Sequence, residues 1–184
     1  MSGGRAGPPA APRSRGSPGA SGESGEPANV AGATPPAAAP CGSDTATAGS
    51  VDYRTGVPPV AEFERLLAGT GWFAGDPPTR DQLAGALSTS WTAVGAYAGG
   101  RLVGVGRVVG DGVLHGLIAD VIVEPAWQGR GVGTAVVERL IAACAAAGVR
   151  DVQLFCATGK RPFYERLGFR ARPHDAPGME LERR

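Results

Sequence analysis

The amino-acid sequence predicts an α/β domain in which helices flank a mixed, largely antiparallel central sheet. In the first half, segments rich in β-forming residues are joined by the hairpin turns Ala98-Gly99-Gly100 and Asp111-Gly112. A glycine-rich loop then opens a helix, in which Val132, Val136 and Leu140 recur at every fourth position. One further strand follows this helix, so the order of elements favours a sheet packed against helices.

Residues 1–50 differ in composition from the rest of the chain, since they are mostly Gly, Pro, Ala, Ser and Thr and include no aromatic residue. Such a segment buries too little apolar surface to offset the entropy lost on ordering. We therefore expect a disordered tail at 1–50 and one folded domain at 51–184. An organelle transit peptide is an alternative, although no amphipathic pattern is present. Three arginines precede the first acidic residue, Glu23, namely Arg5, Arg13 and Arg15.

The folded part is expected to start with an edge strand at residues 51–54 and a helix whose apolar face spans residues 60–67. A second helix is predicted from Thr79, a good N-cap, to about Leu87. The loop between these helices carries two large aromatic residues, Trp72 and Phe73. Loops of this kind often line pockets, but the two rings could instead cover the edge of the core.

The remaining elements follow from β-forming runs separated by glycine turns. Gly148 ends the central helix and Gly168 ends a later short one. An exposed final strand would favour a homodimer. The predicted strands lie at 91–97, 101–109, 113–123, 151–156, 169–172 and 179–182, and the short helix lies at 162–167.

Charge and composition argue against several functional classes. The net charge of +1 provides no basic field for nucleic-acid binding. No apolar run reaches membrane-spanning length, and the first residues lack the apolar core of a secretory signal. The protein is therefore expected to be soluble and cytoplasmic, with neither nucleic acid nor membrane as a partner.

The cysteines and histidines do not show the spacing of a metal site. The chain has three cysteines, Cys41, Cys144 and Cys156. An odd number of widely separated cysteines also argues against a disulfide framework. We interpret Cys144 and Cys156 as small core residues. His115 and His174 have no Cys or His partner at ligand spacing, so no metal is expected.

The glycine-rich loop Gln128–Gly133 is predicted to bind an anion. The first turn of a helix leaves backbone N–H groups without partners at the positive end of the helix dipole, and glycines let these amides approach a pyrophosphate. A Rossmann dinucleotide site is the alternative for such a loop. It requires the loop after the first strand of a βαβ unit, whereas here antiparallel hairpins precede it.

Three segments in order resemble the GNAT superfamily, the GCN5-related N-acetyltransferases. They are Val121-x-Val123-x-Pro125, the loop Gln128-Gly129-Arg130-Gly131-Val132-Gly133, and Phe163-Tyr164-Glu165-Arg166-Leu167-Gly168-Phe169. The last two segments are the most specific, and two such motifs in the right order and separation are harder to obtain by chance than either alone. The resemblance covers roughly Val51 to the C-terminus. Residues 172–179 are similar to a subgroup related to the arylalkylamine (serotonin-type) acetyltransferases of bacteria and plastids.

The resemblance implies a GNAT-like acyl-CoA fold with acetyl-CoA as co-substrate and no metal. Backbone amides from Arg130 to Thr134 would bind the pyrophosphate, with the Gln128 side chain beside it. The strand before the loop would separate from its neighbour, so that the backbone at Val121 and Val123 can pair with the pantetheine arm as an added strand. The implied cofactor-binding residues are Val121, Val123, Gln128, Gly129, Arg130, Gly131, Val132, Gly133 and Thr134.

The resemblance also implies catalytic roles. Tyr164 stands where many members place the acid that protonates the departing thiolate, although a half-buried core aromatic is the alternative. Asp120 is the candidate base that accepts the proton of the amine. Several relatives carry a base one residue earlier, where this chain has Ala119, and strand alternation could turn Asp120 away from the acceptor. His115 or a bound water remains an alternative base.

The predicted function is therefore transfer of an acetyl group from acetyl-CoA to a primary amine of a small molecule, with an aryl-alkyl amine as the narrower expectation. Direct attack in a ternary complex is expected, because no cysteine lies near the loop to form a covalent acyl-enzyme. The alternative is a non-catalytic acyl-CoA-binding regulatory module. Ala119 at the position of a base keeps that alternative open, whereas Tyr164 favours the enzyme.

Overall fold

The computed structural model describes residues 50–179, so the predicted tail up to residue 49, with Cys41, lies outside the described residues. A short 3-10 turn, Pro125–Trp127, lies between the fourth strand and the third helix. In chain order the elements are β1 (Asp52–Thr55), α1 (Val60–Ala68), α2 (Arg80–Ser88), β2 (Thr92–Ala98), β3 (Arg101–Gly110), β4 (His115–Val123), α3 (Val132–Ala147), β5 (Asp151–Leu154) and α4 (Arg161–Arg166).

The strands form one sheet in the order β1-β2-β3-β4-β5. Neighbouring strands from β1 to β4 are antiparallel, as expected for strands joined by tight turns, whereas β5 runs parallel to β4. The parallel pair requires a crossover connection, which α3 supplies. The predicted mixed, largely antiparallel sheet with flanking helices is therefore confirmed.

Helices cover both faces of the sheet, because alternating strand residues point into two separate core clusters. On one face, Val94, Val108 and Ile118 meet the buried side chains of α3. On the other face, Leu102 and Val105 meet the apolar sides of α1 and α2. The sheet is thus a central layer, and any groove at its edge lies between the α3 side and the α1–α2 side.

A capping box fixes the start of α2 at the predicted residue. The Thr79 hydroxyl accepts the Gln82 amide at 3.3 Å, and the Gln82 side-chain oxygen accepts the Thr79 amide at 2.7 Å. These two bonds satisfy donors at the helix start that would otherwise lack partners. They anchor one end of the α1–α2 connection, which carries Trp72 and Phe73.

The predicted strand at residues 169–172 is wrong, because these residues form no strand in the structure. The segment is held instead by Arg172, which donates to the Ala176 carbonyl at 3.0 Å and to the Gln153 side chain at 3.3 Å. Pro173 and Pro177 lack the N–H groups that a strand ladder needs. The second predicted strand, 179–182, lies outside the described residues except for Met179, which is not in a strand. The homodimer prediction rested on that strand and stays a prediction.

Within residues 50–179 no helix is long and apolar enough to span a membrane. The same part of the chain contains no group of three or more His, Cys, Asp or Glu side chains placed to hold a metal ion.

Candidate active site

A cleft opens where β4 and β5 separate. The two strands pair only from His115 with Asp151 to Ile118 with Leu154, so the rest of β4 has a free edge on this side. The resulting cavity has a volume of about 1060 Å³. It is lined by residues 117–123 of β4, the glycine loop, residues 155–157 after β5, part of α4, and the end of α1 with the loop that follows it. This is the strand separation that the resemblance implied.

A β-bulge interrupts β4 beside the cleft. Val105 of β3 pairs with Ile122, but Arg107 pairs with Ala119, so two β4 residues, Asp120 and Val121, lie opposite one residue of β3. Asp120 has a positive φ of 50°, a conformation that Asp adopts more readily than most residues. In a regular strand, residues four apart lie on the same face. Because of the bulge, Ile118 packs towards α3 whereas Ile122 packs towards α1 and α2.

The bulge also decides where Asp120 points. Its carboxylate accepts from Arg107 Nε at 2.5 Å, and Arg107 Nη1 donates to the Ala86 carbonyl of α2 at 2.6 Å. Asp120 therefore lies on the α1–α2 face, the same face as the Arg107 side chain, and it lines the cleft. The ion pair is mostly shielded from solvent, which also supports the alternative of a structural carboxylate.

The glycine loop presents the start of α3 to the cleft. Gly131 is the N-cap residue and has a left-handed φ of 81°, which a residue with a side chain adopts only at a cost. The first hydrogen bond of the helix runs from the Ala135 amide to the Gly131 carbonyl at 3.0 Å. The amides of residues 132–134 therefore lack intrahelical acceptors, as an anion site at a helix start requires.

The predicted cofactor-binding residues differ in what they present to the cleft. Its lining includes Gln128, Gly129, Gly131, Gly133 and Thr134, together with Val121 and Val123. The Val132 side chain is buried in the core beneath α3, and the Arg130 guanidinium lies 5.3 Å from the centre of the Trp127 ring. For Arg130 and Val132 only the backbone amide can therefore serve the predicted role. Trp127 packs against the α3-side cluster.

The open edge of β4 presents backbone groups to the cleft. The Glu124 amide donates to the Val103 carbonyl of β3 at 2.9 Å, and successive backbone groups of a strand point to opposite edges. The amide and carbonyl of Val123 therefore point away from β3. Gln128 Nε2 donates to this Val123 carbonyl at 2.9 Å instead of reaching towards the helix start. A carbonyl has two lone pairs, so Val123 can still accept from a second donor.

Tyr164 lines the cleft from α4 and is half-buried. Its ring makes edge contacts with Phe163 and Phe169, with centroid distances of 4.9 Å and 6.0 Å. Burial raises the pKa of the phenol, and the nearby Cys156 adds to this effect. A raised pKa keeps the hydroxyl protonated at neutral pH, so Tyr164 can donate a proton while its ring contributes to packing.

The prediction that Cys156 is a core residue is wrong. β5 ends at Leu154, so the chain leaves the sheet before Cys156, which is exposed and lines the cleft with Tyr164. Sequence spacing placed no cysteine near the loop, but the fold brings this one to the same cleft. Cys144, by contrast, is buried beneath α3 as predicted.

The structure does not bring His115 to the cleft. Its Nδ1 lies 3.5 Å from Asp151, at the end of β4 opposite the glycine loop. It borders a separate small cavity, of about 260 Å³. A histidine at that position cannot contact an amine held beside Tyr164. No other histidine lines the cleft, so among the described residues Cys156 has no imidazole partner to activate it there.

Sequence reasoning missed an ionic cluster around Glu124, which directly follows β4 and lines the cleft. Glu124 accepts from Arg65 at 3.1 Å and from Arg101 at 2.6 Å, and both Arg65 and Glu124 line the cleft. Arg65 also bonds Glu62 and the Leu102 carbonyl. Arg65 and Glu124 are 59 residues apart, so no local pattern connects them. In the sequence, the only indication of this cluster was Arg65, which lies next to the apolar face of α1.

Comparisons with known proteins identify the family of this chain. Residues 61–169 match the model of the Acetyltransferase (GNAT) family. Serotonin N-acetyltransferase 2, chloroplastic, of Oryza sativa subsp. japonica is 42% identical over 84 residues, which cover 46% of this chain and 42% of that protein. GCN5-related N-acetyltransferase 2, chloroplastic, of Arabidopsis thaliana is 37% identical over 79 residues, which cover 43% of this chain and 31% of that protein. The match thus spans less than half the length of these curated relatives.

The predicted cytoplasmic location is contradicted by these relatives. Both are named as chloroplastic, as is GCN5-related N-acetyltransferase 1 of Arabidopsis thaliana, so the named location of these relatives is not the cytoplasm. The cytoplasmic prediction rested on composition alone, and composition does not specify a compartment.

A solved structure shows the same fold. A probable acetyltransferase from meticillin-resistant Staphylococcus aureus superposes with a TM-score of 0.62 at 26% sequence identity, covering 73% of this chain and 100% of that one. Enzymes of the matched family use acetyl-CoA as co-substrate. The family model spans more than half of the sequence, and the cleft presents a helix start, an open strand edge and a tyrosine in the matched region. The chain therefore belongs to the acetyltransferase (GNAT) family.

Proposed function

We propose that this protein transfers an acetyl group from acetyl-CoA to the primary amine of a small molecule, by direct attack within a ternary complex. The observation that carries the proposal is that one cleft brings together the amides at the start of α3, the open edge of β4 and the protonated Tyr164. The rice relative named as a serotonin N-acetyltransferase supports an aryl-alkyl amine as the narrower acceptor class.

The cofactor end of the cleft fits a phosphate-bearing acyl carrier. The amides of residues 132–134 lie at the positive end of the α3 dipole, where an anion is bound favourably. Lys160 and Arg166 border the same cleft and add positive charge. Within the described part of the chain, β4 has no strand partner on the cleft side beyond Ile118, so its edge at Val121 and Val123 can pair with the amides of an extended arm, as an added strand does at a sheet edge.

Tyr164 is proposed as the acid. When bound, the thioester supplies the activated acetyl group; the amine nitrogen forms a bond to the carbonyl carbon and the carbon–sulfur bond breaks. The sulfur leaves with the electron pair of that bond and takes a proton from the Tyr164 hydroxyl, which lowers the barrier to its departure. The second proton that the nitrogen must lose passes to the resulting phenolate, so Tyr164 is restored and the products are an amide and a free thiol. The phenol is protonated at neutral pH, so it carries the proton that the departing sulfur requires.

Asp120 is proposed as the proton acceptor for the incoming ammonium group, directly or through one water. It is a carboxylate of β4 that lines the cleft, and the bulge turns it towards the α1–α2 side. One of its oxygens accepts from Arg107, which leaves the other oxygen to receive a proton. Ala119 provides no base, and His115 lies outside the cleft.

Replacing Asp120 with asparagine is expected to lower kcat at pH 7 by roughly 100-fold, the low end of the range for general acid–base catalysis. Asparagine tolerates the left-handed conformation and can still accept from Arg107, so the bulge should persist. The defect should shrink as pH approaches the pKa of the amine, because the acceptor then arrives already deprotonated. Steady-state kinetics from pH 7 to pH 10 measure both effects.

Arg107→Met is the matched control for Asp120. It breaks the same ion pair but leaves the carboxylate, so it should lower thermal stability while kcat stays within a few-fold of wild type. If the two variants lose the same stability and neither changes kcat, Asp120 has a structural role only.

A panel assay separates the enzyme from the alternative of a non-catalytic acyl-CoA-binding module. Thiol release from acetyl-CoA is expected with at least one class among aryl-alkyl amines, polyamines, amino acids and peptide N-termini. Binding of acetyl-CoA is measured in parallel by calorimetry. Measurable binding without turnover on any amine would favour the regulatory module, and the absence of binding would contradict both functions.

A further inference from the structure

We infer that Trp72 and Phe155 form the subsite that selects the acceptor, by holding the flat aromatic ring of an aryl-alkyl amine. This inference rests on the proposed function and names its substrate class. The subsite lies at the two sides of the cleft, since Trp72 belongs to the α1–α2 connection and Phe155 follows β5.

Both rings are more exposed than their apolar character favours. Trp72 is 53% exposed and Phe155 is 72% exposed, and both line the cleft. Exposed apolar surface that lines a concave site is typical of a ligand contact. Phe73, in the same loop, is 48% exposed but does not line the cleft. Exposure alone therefore does not identify the subsite, whereas exposure into the cleft does.

The backbone holds the segments that carry both rings. The Trp72 amide donates to the Thr70 hydroxyl at 3.1 Å, and that hydroxyl donates to the Leu67 carbonyl at 2.7 Å, which ties the loop to the end of α1. The Phe155 ring lies against Gly178, since a Cβ added there would be 3.3 Å from it. The C-terminal segment thus borders the Phe155 ring, and the end of α1 fixes the backbone that carries Trp72.

The charges of the cleft argue against a polycationic acceptor. Its carboxylates are Asp120, which is paired with Arg107, and Glu124, which is paired with Arg65 and Arg101. No other Asp or Glu of the described residues lines the cleft, so additional ammonium groups would meet only carboxylates that are already paired. An acceptor with one amine and an uncharged, apolar body fits these surroundings better.

An aromatic body is favoured over a saturated one of similar size. Aromatic pairs in stacked or edge geometry gain about 0.5–1.5 kcal/mol beyond the burial of their area. The probes are therefore 2-phenylethylamine and 2-cyclohexylethylamine, which carry the same ethylamine arm and differ in the flat ring. For the wild type, we expect 2-phenylethylamine to have the lower KM.

Trp72→Ala and Phe155→Ala are each expected to raise the KM for 2-phenylethylamine by roughly tenfold, from the lost stacking and burial. The KM for acetyl-CoA and kcat should stay near wild type, because neither residue belongs to the glycine loop or to α4, which carries Tyr164. The preference over 2-cyclohexylethylamine should disappear in both variants. Trp72→Phe keeps a ring and should restore most of the affinity.

Phe73→Ala is the matched control, since it removes a comparably exposed ring from the same loop outside the cleft. It should leave every kinetic constant unchanged. Equal KM values for the two probes, or a loss in Phe73→Ala as large as that in Trp72→Ala, would overturn the subsite. Calorimetric binding of 2-phenylethylamine to the full chain tests it independently of turnover. Binding that depends on Trp72 without transfer would uphold the subsite and reject the proposed activity.

Discussion

Replacing Gly131 with leucine is expected to weaken acetyl-CoA binding by roughly 100-fold or more, the equivalent of about 2.7 kcal/mol. Gly131 caps α3 in the left-handed conformation and lines the cleft directly before the amides that would face the pyrophosphate. A side chain at this residue would strain the turn and occupy the approach to those amides. Calorimetric titration with acetyl-CoA measures the loss.

Gly148→Leu is the matched control, because Gly148 caps the other end of α3 with a φ of 71° and also has open space around it. Both variants carry the cost of a left-handed residue, about 1–2 kcal/mol, so their melting temperatures should fall by similar amounts. Only Gly131→Leu should lose affinity. Normal binding in Gly131→Leu would show that the anion site is not at the start of α3.

Removing only the hydroxyl of Tyr164, as in Tyr164→Phe, is expected to lower kcat by roughly 100-fold while the affinity for acetyl-CoA stays nearly intact. Phenylalanine keeps the ring that contacts Phe163 and Phe169, so packing on α4 is preserved. The departing sulfur would then have to leave as an unprotonated thiolate. Single-turnover kinetics at saturating amine measure the effect, with acetyl-CoA binding measured separately.

The pH dependence follows from the direction of the Tyr164 pKa. Burial places this pKa above the ordinary tyrosine value of 10, so the phenol stays protonated from neutral pH to about pH 10 and the acid is lost only above that range. The wild-type rate should therefore decline at the alkaline end, and Tyr164→Phe should lack this decline. Tyr97→Phe is a suitable control, since burial also raises the pKa of Tyr97 but its ring packs in the α1–α2 cluster. A large loss of cofactor affinity in Tyr164→Phe would instead assign Tyr164 to packing or cofactor binding.

The cofactor end of the site was predictable because its signals are local. A glycine-rich turn followed by an apolar four-residue repeat predicts a helix start with free amides, and the structure has Gly131 as the N-cap of α3. Likewise, Thr79 and Gln82 form their capping box from residues three apart in the sequence. Turn and cap geometry depend on neighbouring residues, so the sequence pattern suffices to predict them.

The ion pairs that line the cleft were less predictable because they join residues that are distant in sequence. The pairing of Asp120 with Arg107 requires the bulge in β4, and a one-residue change of register reverses the faces of a strand. The cluster of Glu124 with Arg65 joins β4 to α1. Neither contact leaves a periodic signal in the chain.

The sequence by itself determined the fold class, the family resemblance and the position of the glycine loop, because periodicity, turns and caps act over a few residues. Only the tertiary structure decided which side chains share the cleft: it brings in Cys156, leaves out His115 and turns Asp120 to the α1–α2 face. The physical reason is that strand register, the bulge and the separation of β4 from β5 are set by packing between distant segments, which determines where each side chain points.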